Sequence, residues 1–279
     1  MLRVVASLML RHSEQSLADM LDVTIGDGLR GRVRPVSHGQ ALAALGSDPT
    51  RGWPVRCETD GLGRLHHPAR RAQWLTGRLC LQDLVLSVDR LAAVRPCLVR
   101  QEGGDAEEVG RPVVVDDHRN PVAEVSVSHC RDYSVAVLSR SRCSVDIERR
   151  AAVRATSAPC LFGTDEHRLA SMVLAEADPQ DRPTVYWTLL ESLGKLYGRP
   201  SYGRGRFHLL APQPHDAAGT LRFGSHQPAA RSQRRARVSI TVFSEHVICA
   251  ATADPRVQPD PWTHPNDPTP SGGSHVTPR

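Results

Sequence analysis

Residues 122–148 hold three successive segments in which apolar and polar side chains alternate: "VAEVSVSHC", "DYSVAVLS" and "CSVDIE". A period of two suits a β-strand, whose successive side chains leave on opposite faces, and does not suit one face of a helix. Three such segments in close succession demand a sheet. The short "RSR" between the last two predicts a hairpin. Elsewhere the period lengthens. "HHPARRAQWLTGRLCLQDLVLS" (66–87) predicts a long helix with Leu75, Leu79 and Leu86 on its buried face. Gln82 and Asp83 interrupt that stripe, and "LCLQDLVLS" also reads as a strand. "YWTLLESLGKLYG" (186–198) predicts an amphipathic helix that stops at a glycine. A further helix is expected at 165–177, and a short one in "SEQSLADMLDV" with Ser13 or Ser16 as cap. Strands are expected at 207–211 and 237–252. The pattern is one of mixed α and β.

A hydrophobic content of 40% with 23% charge fits a globular chain, and an aromatic content of 4% leaves aliphatics and alanine to build the core. The net charge of +5 suits an anionic ligand or an acidic partner. The basic "ARSQRRARVS" lacks interleaved aromatics, so it reads as a solvated loop or strand edge and no nucleic-acid partner is expected. The seven cysteines include no CxxC pair, which argues against a disulfide framework or a zinc site and for a reducing, cytoplasmic setting. "MLRVVASLMLRHSE" has an apolar run cut by Arg3 and no clear small-residue cleavage site, so no signal peptide is expected. No run is long enough to span a membrane. Residues 253–279, rich in Pro and polar residues, are expected to form a disordered tail.

Two patterns carry chemistry. In "CSVDIE", Val145 and Ile147 share one strand face, and Ser144, Asp146 and Glu148 the other. Two carboxylates at i and i+2 repel unless they are solvated or bridged by a cation. On this motif alone wet acids at a strand end are the commoner case; the other is a hard ion, Mg²⁺ or Mn²⁺. In the 186–198 helix, Glu191 and Lys195 are four apart and share a face. Such pairs are frequent on surfaces and contribute about 0.3–0.5 kcal/mol. Lys195, however, is the only lysine in the chain. Where arginine fills every other such position, a lone lysine marks a place that wants a compact ammonium. "SVSHC" places Ser126, Ser128 and Cys130 on one strand face and His129 on the other. A Cys–His nucleophile from neighbours that point apart is excluded; His129 is left as a core histidine or a phosphate donor.

Taken in order, these pieces resemble the 4'-phosphopantetheinyl transferases that activate siderophore, nonribosomal peptide and polyketide synthases. "ARRAQWLTGR" resembles the family's arginine-rich helix, "GRP" (110–112) its Gly-Lys-Pro turn, and "SVSHC" its Ser-His-Ser strand. "SVDIE" resembles its Asp-x-Glu strand, "FGTDE" (162–166) an intervening element, and "WTLLESLGK" its last helix. The resemblance implies an α+β fold of two similar halves with pseudo-twofold symmetry, 1–120 and 121–252, acting as a monomer. It implies transfer of the phosphopantetheine arm of coenzyme A to a serine of an apo acyl or peptidyl carrier protein, releasing 3',5'-ADP. Asp146, Glu148 and Glu191 would bind Mg²⁺. As catalytic residues, Glu191 would also take the serine proton, and Lys195 would meet the pyrophosphate and protonate the leaving phosphate. Ser128, His129, Arg111, Arg71 and Arg78 would hold phosphates. The chain departs from the family at Ser144, Cys130, Gly194 and above all Leu190, where the family has a lysine beside the glutamate. The alternative is a non-catalytic homologue that binds carrier protein or coenzyme A.

Overall fold

The computed structural model describes residues 9–13, 22–25, 29–35, 56–57, 65–88, 91, 97–100, 111–154, 170–171, 174–198, 207–210, 220–225 and 234–253. The tail, "FGTDE", most of "SEQSLADMLDV" and most of 165–177 lie outside these. Ala170–Ser171 are helical, while Asp22 and Val23 are strand.

Among the described residues, thirteen strands and two long helices are placed. In chain order they are β1 (Met9–His12), β2 (Asp22–Ile25), β3 (Leu29–Pro35), β4 (Arg56–Cys57) and helix α1 (Pro68–Leu86), then β5 (Cys97–Arg100), β6 (Pro112–Val115), β7 (Pro121–His129), β8 (Tyr133–Ser139) and β9 (Cys143–Arg149). Helix α2 (Arg182–Tyr197) follows, then β10 (Phe207–Leu209), β11 (Thr220–Ser225), β12 (Arg234–Val242) and β13 (His246–Ala253). One sheet has the order β10-β11-β12-β13-β9, with β1 pairing β12; the other runs β2-β3-β8-β7-β6-β5-β4. Neighbours are antiparallel except β1 with β12 and β4 with β5. The fold is therefore mixed α+β with two largely antiparallel sheets. No helix among the described residues is long and apolar enough to cross a membrane.

Alternation explains the layering. On β8, Val135 and Val137 join Leu29, Val33, Val145, Ile147, Ile248 and Ala250 in a core between the two sheets. The intervening Ala136 and Leu138 pack instead with Cys80, Leu81, Leu84 and Val85 of α1. Helix α2 covers the far face of the other sheet through Leu189, Leu193 and Leu196, against Val238, Ile240 and Cys249. A strand caught between a sheet and a helix must be apolar or hydrogen-bonded on both faces. β9 is buried throughout Cys143–Ile147.

Three expectations need correcting. Residues 66–87 form a helix to Leu86, so the strand reading of "LCLQDLVLS" fails, and Leu86 is 42% exposed. The buried stripe runs instead through Ala72, Leu75, Cys80 and Leu84, at the i+3/i+4 spacing of one helix face. The "RSR" turn makes no hairpin: it carries the chain from one sheet to the other, and β9 pairs with β13, Asp146 opposite Cys249. The hairpin of this region is β7–β8, closed by the Cys130 N–H bonded to the Tyr133 carbonyl. β7 and β8 belong to the sheet of β2–β6, and β1 joins that of β9–β13. The strand content expected at 237–252 is present as β12 and β13, paired as a hairpin, and Arg234–Arg237 of the basic stretch lie in β12.

Gly77 of α1 sits where the helix comes closest to β7: a Cβ there would lie 2.7 Å from Val127 Cγ1. Valine is stiff at χ1 and cannot easily swing away. Gly77→Ala should lower stability by about 1–3 kcal/mol in urea denaturation. Adding Val127→Ala should recover part of that loss; equal midpoints for Gly77→Ala and the parent would show that the contact is not tight.

Candidate functional site

The polar face of β9 looks at α2, and the two elements meet residue by residue. Ser144 Oγ lies 3.0 Å from Ser192 Oγ. The Lys195 ammonium donates to Asp146 Oδ1 at 2.7 Å, to Ser128 Oγ at 2.8 Å and to the Val145 carbonyl at 3.2 Å. The Ser128 hydroxyl in turn donates to Asp146 Oδ1 at 2.7 Å. Strand β7 completes the junction: Ser126 Oγ accepts the Val145 N–H at 3.1 Å. Helix spacing brings Trp187, Glu191, Ser192 and Lys195 to this one side. The helix ends as expected, with Gly198 left-handed at φ 62° and its N–H on the Gly194 carbonyl.

Asp146 is 4% exposed, so the solvated reading of that carboxylate does not hold. One oxygen has two partners, whereas the buried Oδ2 has no hydrogen-bond partner. Burial, the neighbouring Asp146 and, less strongly, Glu191 push the Glu148 carboxyl up, to a net value of about 7. A hydrogen bond from Trp187 and the charge of Lys195 pull it down in part. His129 is drawn into the same field: burial lowers its pKa, Lys195 and Arg70 lower it further, and Asp146 opposes them. Its imidazole is therefore neutral at pH 7. An orphaned buried carboxylate oxygen beside an acid that resists ionisation fits a hard, oxygen-seeking cation. The oxygens of Asp146, Glu148 and Glu191 do not gather as closely as the donor atoms of Cys130, Asp132 and His246, which all lie within 4.8 Å of one another.

The other expected residues fall elsewhere. Arg111 is half-buried and committed to the protein. It donates to the Lys195 and Leu196 carbonyls at 3.1 and 2.6 Å, to Glu124 Oε2 at 3.1 Å and to the Cys143 carbonyl at 3.3 Å. Those carbonyls are among the last of α2, which an arginine can cap. Burial lowers its pKa and Glu124 raises it. Arg71 and Arg78 lie seven apart on α1, so they share a face with Trp74, over whose ring the Arg78 guanidinium sits at 4.7 Å. The Arg71 Nε is buried with no hydrogen-bond partner. Leu190 is 2% exposed within the α2 core. The missing lysine therefore does not vacate a place beside the carboxylates: two residues from Ser192, which meets β9, Leu190 lies on the opposite flank of α2, buried in the apolar cluster. Trp187, Ser192 and Glu124 were not singled out beforehand. Thr184, Thr188 and Ser192, four apart and fully buried, were the signal for a polar stripe on the sheet-facing side of α2.

Two outcomes follow. Because the Glu148 pKa is raised on folding, its favourable contribution is complete below about 4.5, its ordinary value, and is lost as pH rises through about 7. Glu148→Gln should thus be more stable than the parent at about pH 8, with the gap closing at about pH 4, in urea melts with chelator present. The difference between the two proteins isolates Glu148 from the histidines. Arg111→Ala should cost about 3–5 kcal/mol, since it strands the buried Glu124. Unchanged thermal stability with weaker coenzyme A binding would instead return Arg111 to the phosphate role. Compared with known proteins, the chain matches no family model and no curated protein.

Proposed function

We propose that the chain transfers the 4'-phosphopantetheine arm of coenzyme A to a serine of an apo acyl or peptidyl carrier protein, with Mg²⁺ or Mn²⁺ held by Asp146, Glu148 and Glu191. The observation that carries this reading is the buried Asp146, with one oxygen fixed by Lys195 and Ser128 and the other without a partner, beside Glu148. A mixed α+β architecture with two helix-backed sheets is compatible with the fold class that the sequence resemblance implies. When bound, the ion neutralises charge on the pyrophosphate. Glu191 accepts the proton of the carrier serine as its oxygen bonds to phosphorus and the bond to 3',5'-ADP breaks. His129 and the face of α1 carrying Arg71 and Arg78 offer donors to phosphate oxygens.

Lys195 needs a changed role. An ammonium has three N–H donors, and all three are used within the protein. It positions Asp146 rather than waiting for a phosphate. That full commitment, together with that of Arg111, favours the second reading, a homologue that binds coenzyme A or carrier protein without transfer.

Incubating the protein with coenzyme A, Mg²⁺ and several apo carriers, and reading intact carrier masses, separates the two. Transfer is expected, with Asp146→Asn and Glu191→Gln each slowing it about a hundredfold or more. Coenzyme A binding by calorimetry with no adduct on any carrier would establish the second reading.

A further inference from the structure

We propose that Cys130, Asp132 and His246 form a site for one zinc-class divalent cation that ties the two sheets together. Cys130 and Asp132 belong to the connection between β7 and β8 in the seven-stranded sheet; His246 opens β13 in the other. Their donor atoms lie within 4.8 Å of one another. Asp132 Oδ2 and His246 Nε2 are 3.5 Å apart. That is long for a hydrogen bond but close to the edge of about 3.3 Å between two ligands in a tetrahedron of bonds near 2.0 Å.

A second observation points the same way. The His246 side chain is 4% exposed, and its Nε2 has no hydrogen-bond partner. A buried ring nitrogen 3.5 Å from a carboxylate oxygen, with a thiol sulfur also within 4.8 Å of the cluster, is placed as a ligand would be. The Tyr133 ring meets the imidazole edge-on at 5.0 Å and restricts its rotation. One sulfur, one nitrogen and one oxygen suit Zn²⁺ and exclude a preference for Mg²⁺. Asp132 is 37% exposed, which gives the ion a path in and leaves room for a water as fourth ligand. Binding converts the Cys130 thiol to thiolate and releases its proton to solvent. The absence of CxxC pairs hides this site in the sequence, because it uses a single cysteine and its histidine comes from a distant hairpin.

The test uses the full chain, stripped with chelator and titrated with Zn²⁺ against a chromophoric chelator, and separately with Co²⁺. One equivalent should bind, and Co²⁺ should give a thiolate-to-cobalt charge-transfer band. Cys130→Ser should abolish that band. Asp132→Asn, at a part-exposed side chain outside the core, should weaken Zn²⁺ about tenfold or more while circular dichroism is unchanged. Asp146→Asn should keep the band, which separates this site from the carboxylates of the proposed transferase. No band with Co²⁺, or equal Zn²⁺ affinity in the parent and Asp132→Asn, would overturn the proposal.

Discussion

The free edge of β9 is the constraint on which the rest of the molecule depends. Among the described residues β9 ends the ladder of its sheet, so one row of its backbone groups has no neighbouring strand there. At Val145 that row is satisfied by side chains: Ser126 takes the N–H, and Lys195 supplies a donor to the carbonyl. An unpaired buried peptide group costs free energy comparable to a lost hydrogen bond, so these two contacts are required for the sheets to meet here at all. They also set the separation of β7, β9 and α2. Asp146 then has nowhere to point except at Lys195.

Compact and forked cations divide the work at this junction. Lys195 delivers three bonds to three oxygens that converge from different directions, as a rotatable ammonium can. Arg111 spans a wider gap, from the end of α2 to Glu124 and the Cys143 carbonyl, as a planar fork can. Neither exchange would preserve the geometry. This accounts for the single lysine in a chain otherwise supplied with arginine. It also explains why both residues act first as architecture, and why the proposed chemistry falls on the carboxylates.

Much of the site was legible in local pattern. The alternation of "CSVDIE" placed Asp146 and Glu148 on one face, and the spacing of Glu191 and Lys195 put them on one helical side; both hold in three dimensions. The partners of those faces were not legible. Leu190 looked like a lost cation because a linear motif does not record which flank of α2 meets the sheet. Arg111 looked like a phosphate ligand because nothing local shows that α2 ends beside it. The β8–β9 turn looked like a hairpin because strand periodicity does not name the neighbouring strand.

By itself the sequence determined the period of each element, the glycine stop of α2 and the pairs of side chains sharing a face, since these follow from backbone geometry over a few residues. Tertiary structure alone decided that β9 leaves its sequence neighbour for β13, that Asp146 is buried with an oxygen to spare, and that Cys130 and Asp132 come to lie beside His246. Those outcomes depend on contacts between segments from about twenty to more than a hundred residues apart, where packing and hydrogen-bond satisfaction choose among pairings that local pattern leaves equal.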